Sequence, residues 1–136
     1  MRKLIMLCIA LATLSSCGGD EVVTGERLVD VGGHRLHVSC TGHGSPPVVF
    51  DAGLGADSSS WAPVVGLLEP HTRVCSYDRA GYGRSDPGPF PRDSRTVARE
   101  LKALVEEAGV EMPFVLVGHS IGALNAQIYA ELYPDD

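Results

Sequence analysis

Short strand-like runs and longer stretches with helical spacing alternate along the chain after residue 26. Residues 28–31 and 35–40 flank Gly32-Gly33, and two glycines between two strand-like runs predict a tight β-hairpin. Three further short runs, the last of them apolar throughout, predict strands over residues 48–52, 73–77 and 114–117. An all-apolar run is typical of a strand that is buried on both faces.

The second strand of the predicted hairpin has alternating positions. Leu36, Val38 and Cys40 share one face, and His37 lies on the other. We expect His34 and His37 to be surface residues of the hairpin, with no catalytic role.

Helical patterns separate and follow the later strands. Residues 61–68 form the first, and residues 121–132 form the last. Between them, apolar positions from 97 to 108 have helical spacing, and Asp93 or Ser94 can cap that helix. Strands that alternate with helices predict an α/β fold, in which a β-hairpin precedes parallel strands covered by helices on both faces.

One motif in this pattern carries chemistry. Residues 118–122 read Gly-His-Ser-Ile-Gly, which matches G-x-S-x-G, and they follow an apolar strand and open a helix. That setting is required for a nucleophile elbow, a sharp turn that exposes a serine. Gly118 and Gly122 lack side chains that would collide across such a turn, and the helix start favours developing negative charge. Ser120 is therefore the predicted nucleophile.

Together with two other segments, this motif resembles the first half of an α/β-hydrolase-fold domain of the esterase, lipase and peptidase type. Residues 50–55 are similar to the oxyanion loop that follows the third strand of that fold. Residues 77–86 resemble its D-x-R-G-x-G-x-S loop, and residues 114–122 resemble its fifth strand and elbow.

The resemblance implies roles for individual residues. The backbone N–H groups of Ile121 and Leu54 would form the oxyanion hole, although Ala52 stands where family members commonly have histidine. Asp78 and Arg79 would brace the turn beneath the site. The implied substrate is a small acyl compound, and no metal or organic cofactor is implied. A serine nucleophile speaks against epoxide hydrolysis and dehalogenation, for which relatives use aspartate.

In this family the triad runs serine, acid and then histidine along the chain. All five histidines precede or adjoin Ser120, and only 16 residues follow it. We therefore expect the triad acid and histidine, and the C-terminal half of the fold, to lie outside this chain. The chain is interpreted as an N-terminal fragment that is inactive alone.

The N-terminus resembles a bacterial export signal. Two cations precede an apolar run, which is too short to span a bilayer, and residues 14–17 read Leu-Ser-Ser-Cys. The latter resembles a lipobox, which implies lipidation at Cys17. The predicted organisation is a signal peptide (1–16), a lipidated cysteine and tether (17–26) and a partial hydrolase domain (27–136). Simple cleavage and secretion is the alternative to a membrane lipid anchor.

The net charge and the two remaining cysteines bear on the possible binding partners and on disulfide formation. Asp and Glu outnumber Lys and Arg by 17 to 11, for a net charge of -6, which disfavours nucleic-acid binding. Cys40 and Cys75 remain as an even pair in an exported protein. They are either a disulfide or two buried thiols, and the sequence leaves both open.

Three functional hypotheses follow. The first is an exported serine hydrolase, specifically a carboxylic ester hydrolase. The second is a non-catalytic binding module displayed at the membrane surface. The third is a truncated product that does not fold.

Overall fold

A mixed five-stranded sheet forms the centre of the protein in the computed structural model, which describes residues 24–136. The signal peptide, Cys17 and most of the predicted tether lie outside the described residues. The strands are β1 (Gly25–Asp30), β2 (Arg35–Thr41), β3 (Val48–Asp51), β4 (Val74–Tyr77) and β5 (Val115–Gly118). Their order is β1-β2-β4-β3-β5, and β3 is parallel to both β4 and β5.

The first two strands form the predicted hairpin. At its turn, Asp30 Oδ1 accepts hydrogen bonds from the N–H groups of Gly32 and Gly33, at 2.7 and 3.0 Å. Both glycines have positive φ, 105° and 107°, a conformation that side chains disfavour. β2 then pairs antiparallel with β4, so the hairpin extends the parallel part of the sheet.

The expectation that the hairpin histidines lie at the surface is wrong. His37 is only 3% exposed, and its Nδ1 lies 3.2 Å from Asp78 Oδ2. His34 is also largely covered, with Nε2 3.0 Å from Glu100 Oε1. The alternating pattern assigned His37 to the outer face of an isolated hairpin, but the loop after β4 folds over that face.

Three helices cover the sheet: α1 (Ala62–Leu68), α2 (Ser94–Glu107) and α3 (Ile121–Leu132). α2 and α3 pack on one face, where Leu101, Leu104 and Tyr129 join a cluster with Val49 and Cys75. Neighbouring positions in a strand face opposite sides, so Phe50 points to the other face. There it stacks on Trp61, just before α1, with ring centroids 4.5 Å apart. The α/β architecture with helices on both faces is confirmed.

β5 lies at an edge of the sheet, beside β3 alone. The strand was predicted correctly, but its burial on both faces was not, since Val115 is 46% exposed. No helix within residues 24–136 has the length and apolar character needed to cross a bilayer.

Cys40 and Cys75 are opposite one another in the antiparallel register of β2 and β4. Their Cα atoms are 4.1 Å apart and their sulfur atoms are joined in a disulfide, with a sequence separation of 35. Both residues are fully buried. The bond fastens the hairpin to the parallel strands through the interior of the sheet.

Candidate active site

Ser120 occupies the turn between β5 and α3. Its φ is 55° and its ψ is −118°, and within residues 24–136 it is the one non-glycine residue with positive φ. L-amino acids disfavour this region because Cβ crowds the backbone, so the surrounding structure must enforce it. The residue is exposed at this turn.

Two glycines allow this turn to close. A Cβ at Gly118 would collide with the backbone of Gly122 and Ala123, and one at Gly122 would collide with the carbonyl of Asp51. The turn is also hydrogen-bonded: His119 N–H donates to Asp51 O at 3.1 Å, and Gly122 N–H donates to His119 O at 2.9 Å. These contacts hold the elbow in close packing with the end of β3.

The loop after β3 lies beside the elbow. Ala56 N–H donates to Gly53 O at 3.2 Å, which closes a turn over Leu54 and Gly55. His119 packs so closely on this turn that a Cβ at Gly53 would come 2.8 Å from its Nδ1. Ile121 is the first residue of α3, and the first N–H groups of a helix have no intrahelical acceptor.

A cleft of about 680 Å³ adjoins these residues. Leu54 and Ile121 both line it, together with Tyr82 and Phe90 from the loop after β4 and Val97 from α2. Leu54 and Phe90 contribute exposed apolar surface, at 77% and 89% exposure, and the lining also includes polar residues such as Arg92 and Asp93. A cleft that combines apolar walls with placed polar groups is the usual form of a small-molecule site.

A buried polar network supports the loop after β3 from beneath. Arg79 forms an ion pair with Asp51 and donates to the carbonyl of Ala52, and its Nη2 donates to Gly53 O at 2.7 Å. Asn125 Nδ2 donates to the other oxygen of Asp51 at 2.9 Å. Asp51, Arg79 and Asn125 are all 6% exposed or less. Every charge in the network is therefore paired within the protein.

Asp78 organises the loop after β4. Its carboxylate accepts from Ser58 N–H at 2.7 Å and from Arg84 N–H at 2.9 Å. Burial of Asp78 opposes its ionisation, but the hydrogen bonds from Arg84 and Ser58 outweigh burial and hold its pKa below the ordinary value. These contacts hold Asp78 and Arg79 against the loops after β3 and β4 and not against Ser120. Both residues therefore brace the loops, as the family resemblance implied.

The histidines of residues 24–136 do not form a triad with Ser120. His34 and His37 contact Glu100 and Asp78, respectively. His43 and His71 are exposed on loops at the opposite end of the strands, because Thr41 pairs with Val74 at the start of β4. His119 is next to Ser120 but packs on Gly53. Within residues 24–136, no group of three or more His, Cys, Asp or Glu residues could hold a metal ion.

Sequence reasoning gave no individual role to Asn125 or to Asp51. A signal was present in both cases. A single carboxylate in a buried strand needs a partner, and Asn125 lies four residues after Ile121, one turn along the same helix.

The strained serine, its strand-turn-helix setting and the mixed sheet are features of one class of proteins. Members of that class carry a nucleophile elbow at the carboxyl edge of an α/β sheet. The sequence model of the alpha/beta hydrolase fold family matches residues 46–136, which is more than half of the chain. The chain belongs to the α/β-hydrolase fold family.

Three similar proteins illustrate the range of this family. An AB hydrolase superfamily protein of Gibberella zeae is 44% identical over 80 residues, which cover 58% of this chain and 25% of that protein. The enol-lactonase from Burkholderia xenovorans LB400 has a TM-score of 0.75 at 28% identity and covers 80% of this chain and 43% of its own. Epoxide Hydrolase A from Mycobacterium thermoresistibile has a TM-score of 0.70 at 30% identity, covering 83% and 36%.

The chain spans less than half the length of each of these proteins. The part of the chain that the family model matches contains β3, β4 and β5, the elbow and the loop after β3.

Proposed function

We propose that the protein is a serine hydrolase that cleaves a carboxylic ester or related acyl bond, with Ser120 as its nucleophile. The observation that carries this proposal is the backbone of Ser120, held at φ 55° at an exposed strand-to-helix turn, next to Ile121, which lines the cleft. Such strain persists only where other contacts enforce it, and it is concentrated at functional sites.

In the proposed reaction, Ser120 Oγ attacks the acyl carbon and gives its proton to a general base. The carbonyl electron pair moves to oxygen, and the N–H groups of Leu54 and Ile121 stabilise the oxyanion. Collapse of this intermediate breaks the ester bond, and the leaving alkoxide takes the proton. Water then attacks the acyl-enzyme by the same route, which releases the acid and restores Ser120.

The base and its acid partner are proposed to come from outside residues 24–136. All the described histidines are engaged elsewhere or lie at the far end of the strands. Residues 24–136 alone are accordingly expected to be inactive.

Among the reactions of similar proteins, acyl transfer fits this chain best. One similar structure is an enol-lactonase and another is an epoxide hydrolase. The family resemblance associates epoxide opening with aspartate at the nucleophile position, whereas residue 120 is serine. An activated serine is suited to attack on an acyl carbon.

A fluorophosphonate probe tests the proposal on the full-length gene product. We expect a covalent adduct on Ser120, located by peptide mass spectrometry, and none in the S120A variant. A folded protein that hydrolyses no p-nitrophenyl ester and forms no adduct would contradict the proposal. That result would favour the alternative, a non-catalytic binding module.

We further propose export through the N-terminal segment and attachment to the membrane by lipid on Cys17, with the domain division given above. The support is the charged, apolar and small-residue order ahead of Leu-Ser-Ser-Cys. More than one acyl chain makes such an anchor stable. Expressed in a bacterium, the protein should fractionate with membranes, and C17S should not. Equal distribution of both forms would instead indicate simple secretion or retention.

A further inference from the structure

The Arg79 guanidinium binds the backbone of the loop that carries Leu54. It donates to two successive carbonyls, those of Ala52 and Gly53, while also pairing with Asp51. Arg79 is 6% exposed and Asp51 is fully buried. Few side chains other than arginine can serve three acceptors at once, because its donors form a rigid planar fork.

One of these carbonyls belongs to the peptide unit that supplies the proposed oxyanion donor. Gly53 C=O and Leu54 N–H are the two ends of a single planar group, and in a trans peptide they point in opposite directions. The Gly53–Leu54 bond is not among the cis peptides of residues 24–136. A hydrogen bond of 2.7 Å on Gly53 O therefore fixes the direction of Leu54 N–H away from Arg79.

The loop needs such a constraint. Gly53 and Gly55 flank Leu54, and glycine leaves the backbone free to rotate. A close approach of His119 explains why residue 53 has no side chain, since a Cβ there would come 2.8 Å from Nδ1. The same freedom would allow the Leu54 peptide to flip, and Arg79 together with the Ala56-to-Gly53 hydrogen bond opposes it.

We infer that Arg79 is a positioning residue of the hydrolase, which aligns the Leu54 N–H for the developing oxyanion by binding the carbonyl of the same peptide. Asp51 and Asn125 hold the guanidinium in place, because Asp51 accepts from both. The charge on Arg79 also polarises the Gly53 carbonyl, which makes the attached N–H a stronger donor. This inference rests on the proposed serine hydrolase function.

The test separates alignment of the donor from stability of the fold. Removal of Arg79 alone leaves the Asp51 carboxylate buried without its partner, which is strongly destabilising. The variant D51N/R79Q removes both charges and keeps hydrogen-bonding groups, but a single glutamine amide cannot serve both carbonyls. R84Q is the matched control, because Arg84 is in the same loop and its side chain pairs with Glu26 at the surface.

Each variant is measured in the full-length protein by its kcat and KM for a p-nitrophenyl ester, its thermal unfolding and its affinity for a trifluoromethyl ketone. Serine adds to that ketone to form a tetrahedral oxyanion. For D51N/R79Q we expect a fall in kcat of roughly 10- to 100-fold, as for a misplaced or lost oxyanion donor, with KM changed less than about threefold. Ketone affinity should fall by a similar factor. R84Q should keep most of the activity.

A cooperatively folded D51N/R79Q protein with kcat within about twofold of the unmodified protein would overturn the inference, as would a change in KM alone. If that variant does not melt cooperatively, R79K decides by the same criteria, because lysine keeps the charge pair but lacks the planar fork whose two nitrogens reach the two carbonyls. If the fluorophosphonate probe does not label Ser120 in the unmodified protein, the proposed function is overturned instead. The two failures are therefore distinguishable.

Discussion

At the scale of single residues, the site is built from conformations and contacts that one side chain enforces on another. Ser120 takes a backbone geometry that suits glycine, and Gly118, Gly122 and Gly53 are small because neighbouring backbone or the His119 ring fills their space. A strained residue raises the free energy of the folded state, and relief of that strain should be measurable.

Replacement of Ser120 by glycine should stabilise the protein while abolishing hydrolysis. Glycine tolerates φ 55° and ψ −118°, whereas serine bears a cost of ~1–3 kcal/mol there. Greater freedom of glycine in the unfolded chain offsets ~1 kcal/mol of the gain. We expect S120G to raise the free energy of urea unfolding by ~1 kcal/mol relative to S120A, which removes the same hydroxyl but keeps Cβ. Equal or lower stability of S120G would contradict the prediction, because the strain at residue 120 would then be no more than the ~1 kcal/mol that the unfolded-state freedom of glycine offsets.

Asp78 should make the protein less stable in acid. Its pKa lies below the ordinary value of 3.8 in the folded protein, so folding favours the carboxylate. That contribution is complete above the unfolded pKa and is lost as pH falls through the range below 3.8. The stability difference between the wild type and D78N should therefore be largest near neutral pH and shrink below about pH 4.

Urea unfolding of both proteins at several pH values checks this expectation. The control D135N removes a carboxylate at an exposed position and should have nearly wild-type stability at neutral pH. If the D78N penalty were the same at pH 3 and pH 7, the hydrogen bonds to Asp78 would not depend on its charge.

At the scale of elements, the N-terminal cap of α2 stabilises a helix that lines the cleft. The Asp93 side chain accepts from Thr96 N–H at 2.7 Å and so caps α2, which carries Val97 into the cleft wall. We expect D93A to lower the free energy of unfolding by ~1 kcal/mol, whereas D93N keeps an acceptor and should lose much less. Urea unfolding of the two variants gives the comparison, and equal losses would assign the effect to charge and not to capping.

Element types and order were predictable because periodicity and caps agree at most positions. The third helix was predicted over its observed span, Ile121–Leu132, and Asp93 was one of two proposed caps. The first helix was predicted less fully: its span was expected at residues 61–68, but Asp57 caps a 3₁₀ turn over Ser58–Trp61 that precedes α1. A 3₁₀ turn has too few residues to leave a periodic signal.

The site was predictable where its signal is local in sequence and not where it is formed by tertiary contact. The strand-turn-helix setting of residue 120 follows from one short motif and its flanks. The Asp51–Arg79–Asn125 network joins three separate elements, with sequence separations of up to 74. A lone carboxylate in a buried strand indicates that a partner is needed, but no local pattern specifies which residues pair with it. The burial of His37 was missed for the same reason, since the covering loop belongs to β4.

At the scale of the whole molecule, the N-terminal hairpin is fastened to the rest of the sheet at two levels. The Cys40–Cys75 disulfide joins β2 to β4 in the interior. Nearer the surface, Asp86 receives hydrogen bonds from the Arg35 backbone and side chain, and Ser85 Oγ receives one from His37 N–H. Since Arg79 belongs to the same loop as Ser85 and Asp86, the hairpin supports the part of the loop that binds the backbone beside Leu54.

Loss of the disulfide should therefore weaken the whole sheet and not the hairpin alone. The bond closes a loop with a sequence separation of 35, for which restriction of the unfolded chain contributes ~3–4 kcal/mol. We expect the reduced protein and the C40A/C75A variant both to unfold at lower urea concentration, in one transition that is the same by far-UV circular dichroism and by Trp61 fluorescence. Trp61 reports on the parallel part of the sheet, because it packs on Phe50 of β3, which β4 separates from the hairpin. The reductant should leave C40A/C75A unchanged, which controls for its other effects.

Two outcomes would contradict this prediction: an unchanged midpoint on reduction, or an early transition that leaves Trp61 fluorescence unaffected. Either would show that the hairpin unfolds independently and that its contacts to the Arg79 loop do not stabilise the site.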